Sequence, residues 1–173
     1  MDLISEKYRQ LNIKLHESSK RFLISYGTGG RQYRDVVESL CKYYRTNDVL
    51  DYGCGTGSLK DNLPEWISVK EYDPAIEGKS ELPDPADIII CTDVLEHIEP
   101  EYLDAVLAHL ECLMNMAGLF VISTTAAKKH LEDGRNAHLT IQSSDWWENK
   151  LSNFNIVTSI DAKKKTEFYL EAK

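Results

Sequence analysis

Apolar positions along the chain fall into two rhythms, one helical and one alternating. Leu3, Ile4, Tyr8, Leu11 and Leu15 recur at the spacing of a single helix face, which predicts an amphipathic helix over residues 2–20. Gly27, Gly29 and Gly30 interrupt it. Tyr33, Val36, Val37, Leu40, Cys41 and Tyr44 then form a second stripe and predict a helix from about Arg31. Further along the period shortens. Val49 and Leu50 end a short buried strand, Ile67 to Tyr72 reads as another, and the β-branched run in Asp87 to Cys91 reads as the central one. Pro100 opens a helix carrying Leu103, Val106, Leu107, Leu110, Leu113 and Met114, with Gly118 as its stop. Leu119 to Thr124 is a further strand, and residues 125–142 are polar and without period. Ser143 or Ser144 can cap a short helix bearing Trp146, Trp147 and Leu151. Phe154 to Ile160 and Thr166 to Ala172 alternate as a closing pair of strands.

The densest chemistry lies between the second helix and the second strand. Asp48-Val-Leu-Asp-Tyr-Gly-Cys-Gly-Thr-Gly57 places Asp51 at the end of a strand, followed by Gly53, Gly55 and Gly57 and a helix expected over residues 58–63. A strand, a glycine-rich bend and a helix start form a crevice where a ligand touches bare backbone. A dinucleotide fingerprint would need Gly-x-Gly-x-x-Gly, with glycine where Ser58 stands. A carboxylate two residues before the first glycine disfavours pyrophosphate and suits a ligand carrying an ammonium and a sulfonium. The run from Val49 to Gly57 resembles the first motif of class I S-adenosylmethionine-dependent methyltransferases.

That resemblance implies a Rossmann-like three-layer α/β sandwich. Its sheet is mostly parallel, of the seven-stranded type, and ends in an antiparallel hairpin. Tyr72-Asp-Pro74 is similar to the family's second motif, in which Asp73 would hold the ribose hydroxyls. Residues 75–86 are too few for the usual helix, third strand and adenine loop, so a shortened edge is expected, with Lys79 to Leu82 covering the adenine. Residues 1–173 form a single methyltransferase domain in this reading, with 1–46 as a helical lid and 47–173 as the core. His16 and Tyr26 would face the pocket. The cofactor residues are Asp51, Tyr52, Gly53, Cys54, Gly55, Gly57, Asp73, Pro74, Thr92 and Asp93.

Methyl transfer to oxygen or nitrogen also calls for proton removal, which histidine suits at neutral pH. His97, at the end of the central strand, and His138 are the candidates. Asp93, Glu96 and His97 form a D-x-x-E-H cluster that looks like the E-x-x-E-H segment of the ubiquinone-pathway O-methyltransferases and the small-RNA 2′-O-methyltransferases. In those groups the segment binds a divalent cation, and in the small-RNA enzymes a downstream histidine completes the site, a place for His138. Leu-Glu-His is also common in the superfamily where it only orients a loop, so the expectation is no metal. One of Trp146 and Trp147 belongs in the core; the other is either structural too or a wall beside the acceptor.

Composition narrows the acceptor. Twenty basic residues against 28 acidic ones give a net charge of −8, the wrong balance for non-specific grip on a nucleic-acid backbone. A small-molecule acceptor is therefore expected. An RNA, DNA or nucleotide acceptor would need a basic face from Lys128, Lys129, Arg135 and Lys163 to Lys165, and no N-P-P-Y-type tetrapeptide follows the central strand. A non-catalytic partner subunit with this fold would have no need of Asp51, the glycines and Asp73. Four cysteines without paired spacing predict no disulfide framework or zinc site, with Cys54 as a filler of the loop. The start lacks a signal-peptide pattern and no apolar run is span-length, which suggests a cytoplasmic protein without membrane contact.

Overall fold

The computed structural model describes residues 2–21 and 29–173, and the side chains of all of these except 18–21. Tyr26 and Gly27 lie outside the described residues. Strands β1 (Asp48–Tyr52), β2 (Ser68–Tyr72), β3 (Ala86–Thr92) and β4 (Met114–Ser123) pair in parallel. A hairpin of β5 (Asn155–Ala162) and β6 (Lys165–Glu171) closes the sheet, with β6 antiparallel to β4. The order is β2-β1-β3-β4-β6-β5. This is the expected Rossmann-like sandwich, and its trimmed edge lies beyond β2, where residues 75–85 run as turns and coil.

Period-two alternation explains why the central strands are apolar throughout. Ile88 and Ile90 face one layer, with Val49, Leu119 and Val121 beside them and Val37 and Cys41 of α2 (Arg34–Tyr44) packed on top. Ile89 points the other way, into a cluster with Leu50, Phe120 and Phe168. There it meets Leu110 of α3 (Leu103–Leu113) and Trp147 of α4 (Ser144–Lys150). Ser143 caps α4, its side chain accepting from the Trp146 N–H at 3.3 Å. No helix among the described residues is long and apolar enough to cross a membrane.

Helix α1 (Glu6–Arg21) begins later than its apolar stripe, because Ser5 Oγ takes the Tyr8 N–H at 3.1 Å as a cap. Leu3 remains buried just ahead of it. The helix is tied to the rest of the chain by its start. Ser5 donates its main-chain N–H and its hydroxyl to the two carboxylate oxygens of Glu99, at 2.9 and 2.8 Å. Tyr8 donates its hydroxyl to the His97 carbonyl at 2.6 Å. The two helices expected as a lid differ in what they touch: α2 packs on a face of the sheet, whereas Tyr8, Asn12 and His16 of α1 line the main cavity.

Two element expectations are corrected. No α-helix follows the glycine loop; a 3-10 turn at Lys60–Asn62 stands where residues 58–63 were expected to be helical. Pro64 leaves too little chain for helical turns, and Asn62 Nδ2 bonds the Ser58 carbonyl at 2.8 Å instead. Gly118 does not stop α3, which ends at Leu113 and passes straight into β4. Gly118 pairs with Ile89 and Leu170 inside the sheet. A Cβ on it would come within 2.5 Å of the Met114 methyl and 3.2 Å of the Ile89 carbonyl oxygen, so it is a close-packing glycine.

Candidate active site

The parallel register sets Asp51 beside both Glu71 and Ile90, so the carboxyl ends of β1, β2 and β3 finish along one rim. Over that rim lies a cavity of about 640 Å³. Asp51, Tyr52, Gly53, Cys54 and Gly55 line it from the first loop, Asp73 and Pro74 from the second, and Thr92, Asp93 and His97 from the third. His138 joins from the loop after β4, and Leu3, Tyr8 and His16 from the N-terminal segment and α1.

Gly57 is not among the lining residues. A Cβ there would meet Glu71 Oε1 at 2.5 Å, so Gly57 faces the Glu71–Lys79 ion pair, which closes at 2.9 Å. Lys79 to Leu82, expected over the adenine, does not border the cavity either; Pro74 and Ala75 do. Once the edge strand is gone, residues 80–82 lie exposed, with Leu82 at 66%. Neither tryptophan lines the cavity. Trp147 is fully buried, and Trp146 borders a separate groove beside Pro100 and Lys150.

The loop is held to its neighbours by main-chain bonds. Gly53 and Cys54 donate N–H to the Tyr72 carbonyl at 2.7 and 3.1 Å. Gly53 has φ +76, and a Cβ on it would come within 2.3 Å of a Val94 methyl, so only glycine fits. The Gly55 N–H donates to Asp73 Oδ2 at 3.0 Å, and the Ala75 N–H to Asp73 Oδ1 at 2.9 Å. Asp73 thus joins the two loops while keeping acceptor capacity on both oxygens. Asp51 is 3% exposed, and burial, reinforced by Glu71, pushes its carboxyl up to about 7. Burial likewise raises the Cys54 thiol, which makes it a filler rather than a nucleophile.

Both histidines that line the cavity are held through Nδ1. That of His97 meets the Ala137 carbonyl at 2.8 Å, that of His138 the Thr125 carbonyl at 2.6 Å. A carbonyl only accepts, so both Nδ1 atoms carry hydrogen and the basic atom of each neutral ring is Nε2. Burial and the neighbouring His138 push His97 down to about 4. Asp93, at φ +56, pairs with Lys165 at 2.7 Å.

Several contributors lay outside the expectations for the site. Asn136 accepts from the Ala127 and His138 N–H groups at 3.0 Å each and donates to the Ala127 carbonyl, fixing the loop that presents His138. Its one visible signal is a place next to Gly134-Arg135 and two residues before His138 in an otherwise aperiodic stretch. Tyr8 looked like one more stripe residue, and nothing in its spacing marks the bond to His97. Lys128, Lys129, Lys164 and Lys165, expected only as part of a basic face for a nucleic-acid acceptor, all line the cavity.

A Rossmann-like sheet bearing this glycine bend behind an aspartate is the architecture of class I S-adenosylmethionine-dependent methyltransferases, and the protein is one of them. Residues 21–159 match the model of a family described as a methyltransferase domain, and the chain belongs to that family. No curated protein matches the sequence significantly. Among solved structures, the fold is similar to the 1,6-didemethyltoxoflavin-N1-methyltransferase of Burkholderia thailandensis with bound 1,6-didemethyltoxoflavin and S-adenosylhomocysteine. That match has a TM-score of 0.70 and 17% identity, covering 100% of this chain and 92% of that one. The N-methyltransferase NodS of Bradyrhizobium japonicum, bound to S-adenosylhomocysteine, gives 0.58 and 12%, covering 91% and 97%. An rRNA methylase of Escherichia coli gives 0.57 and 14%, covering 98% and 78%. Identities this low establish a shared fold.

Proposed function

We propose that the protein transfers the methyl group of S-adenosylmethionine to an oxygen or nitrogen atom of a small-molecule acceptor. The observation carrying this reading is the meeting of Asp51, the glycine bend, Asp73 and two histidines around one cavity. In it, the methionyl ammonium faces Asp51, and the main chain of Gly53 to Gly55 lies along the donor. Asp73 takes the ribose hydroxyls on its remaining lone pairs. Tyr52, Cys54, Pro74, Thr92 and Asp93 complete the enclosure, and Gly57 supports the bend from behind.

The acceptor's lone pair attacks the methyl carbon in line with the C–S bond. The bonding electrons pass to sulfur, and S-adenosylhomocysteine is the product. Alignment of the two reactants is worth about 7–11 kcal/mol in favourable cases, so enclosure is the main contribution of the protein. His97 and His138 act on the acceptor's proton-bearing atom.

A bounded cavity beside α1 suits a small acceptor, and the toxoflavin-type neighbour holds one in its own structure. A nucleic-acid acceptor is the second reading, favoured by the four lysines on the cavity wall. Steep loss of acceptor binding between low and moderate salt distinguishes it.

Titration calorimetry tests the donor pocket. Wild-type protein should bind S-adenosylmethionine and S-adenosylhomocysteine, and Asp73→Ala or Gly55→Arg should weaken both by roughly tenfold or more, about 1.4 kcal/mol. Equal affinity in the variants would refute the pocket assignment.

A further inference from the structure

His97 and His138 stand edge to face, their ring centroids 4.7 Å apart. Both give their Nδ1 hydrogen to a main-chain carbonyl, the second-layer bond by which proteins commonly aim imidazole Nε2 at a metal. Glu96 lies beside them and is fully buried. Its Oε1 accepts the Ser123 N–H at 2.9 Å. Its Oε2 is buried too and has no hydrogen-bond partner among the described residues. Buried carboxylate oxygens are rarely left so, because desolvation must be offset by a donor or a cation. One ligand atom from each of the three side chains lies within 4.8 Å of the others.

We propose that Glu96, His97 and His138 form a binding site for one divalent transition-metal ion, held by Glu96 Oε2 and both imidazoles. The histidines line the cavity while Glu96 does not, so the ion sits between a buried carboxylate and the open space. Its remaining coordination positions face the acceptor. This goes against the sequence-based expectation of a segment that only orients a loop. Asp93, the first residue of the D-x-x-E-H cluster, is occupied by Lys165, which leaves three protein ligands and an open side, the pattern of sites that do chemistry.

Two imidazoles and one carboxylate select zinc, manganese, iron or cobalt over magnesium, which prefers oxygen ligands and keeps its water. The site stands independently of the donor pocket. Its use rests on the methyl-transfer reading and changes what the histidines do in it. With Nδ1 donating to a carbonyl and Nε2 on the ion, neither imidazole takes a proton, and the ion would act in their place as a Lewis acid on an oxygen of the acceptor.

The test uses the full chain, stripped with chelator and titrated by calorimetry with zinc, manganese and magnesium salts. Thermal unfolding and the visible spectrum of the cobalt-loaded protein are recorded alongside. One equivalent of zinc or manganese is expected, with a raised unfolding temperature and weaker binding of magnesium. Glu96→Gln, which keeps an acceptor for the Ser123 N–H, and His138→Gln should each weaken zinc by at least roughly tenfold and alter the cobalt spectrum. His130→Ala, an exposed histidine outside the cluster, should match wild type. S-adenosylhomocysteine binding, measured on every variant, reports whether it has folded. Absence of stoichiometric binding, or variants that bind like wild type while still taking S-adenosylhomocysteine, would overturn the site. Failure of S-adenosylhomocysteine to bind wild type would count against the donor pocket alone.

Discussion

Asp51 carries the most informative titration in the molecule. With its carboxyl raised to about 7 in the native protein, the folded state holds this proton more tightly than the unfolded chain does. Its contribution to stability is therefore whole below the unfolded value of 3.8 and is lost as pH rises through about 7. Donor binding has the opposite sign, because an ammonium needs the ionised form. Affinity for S-adenosylmethionine should fall by roughly tenfold per pH unit below 7 and level off above it. Asp51→Asn should bind weakly and without that slope between pH 5.5 and 7; a wild-type affinity flat over the same range would contradict the assignment. His138→Ala should lower kcat by roughly 10²–10⁴-fold, with the calorimetric Kd for S-adenosylhomocysteine unchanged. That Asp51, Gly53 and Asp73 would border one cavity was legible in the sequence, because a carboxylate at a strand end and a glycine bend beside it have few other uses. Asn136 was not, since its bonds to residues 127 and 138 depend on a loop path that no periodicity encodes.

At the scale of elements, α1 borders the cavity through Tyr8, Asn12 and His16. Two polar ties seat it, Ser5 on Glu99 and Tyr8 on the His97 carbonyl. Tyr8→Phe leaves that carbonyl short of its donor and should cost about 1–3 kcal/mol in denaturant unfolding. It should also reduce turnover, because the same carbonyl belongs to a residue lining the site. Unchanged stability together with unchanged turnover would show that α1 is not seated this way. The strands and most of the helices were readable from apolar spacing, to within a few residues. The helix after the glycine loop was misread because a strand–glycine–helix template outweighed Pro64, six residues past Ser58. The end of α3 was misread because glycine in a strand, where it allows close approach, looks the same in sequence as glycine ending a helix.

The whole molecule is a sheet whose one rim gathers residues from three successive loops, so ligand and fold should be strongly coupled. S-adenosylhomocysteine at about 100 times its Kd should add roughly 2.7 kcal/mol. For a chain of this size that raises the unfolding midpoint by roughly 5–10 °C, readable by differential scanning calorimetry. A midpoint that stays put at saturating ligand would mean that the ligand does not engage the folded rim. The trimmed edge beyond β2 was legible from chain length alone, since residues 75–85 cannot hold a helix and a strand. What borders the cavity there was not: burial of Ala75 and exposure of Leu82 are decided by how the turn folds back, through the Asp73 N–H to Lys79 carbonyl bond. One charged nucleoside amino acid is expected to span Asp51 and Asp73 with its sulfur towards the histidines. A crystal structure with S-adenosylhomocysteine tests it directly. The amino group should lie at Asp51, the ribose hydroxyls at Asp73 and the sulfur towards His97 and His138; a ligand bound elsewhere, or with its sulfur turned away from those histidines, would overturn this placement.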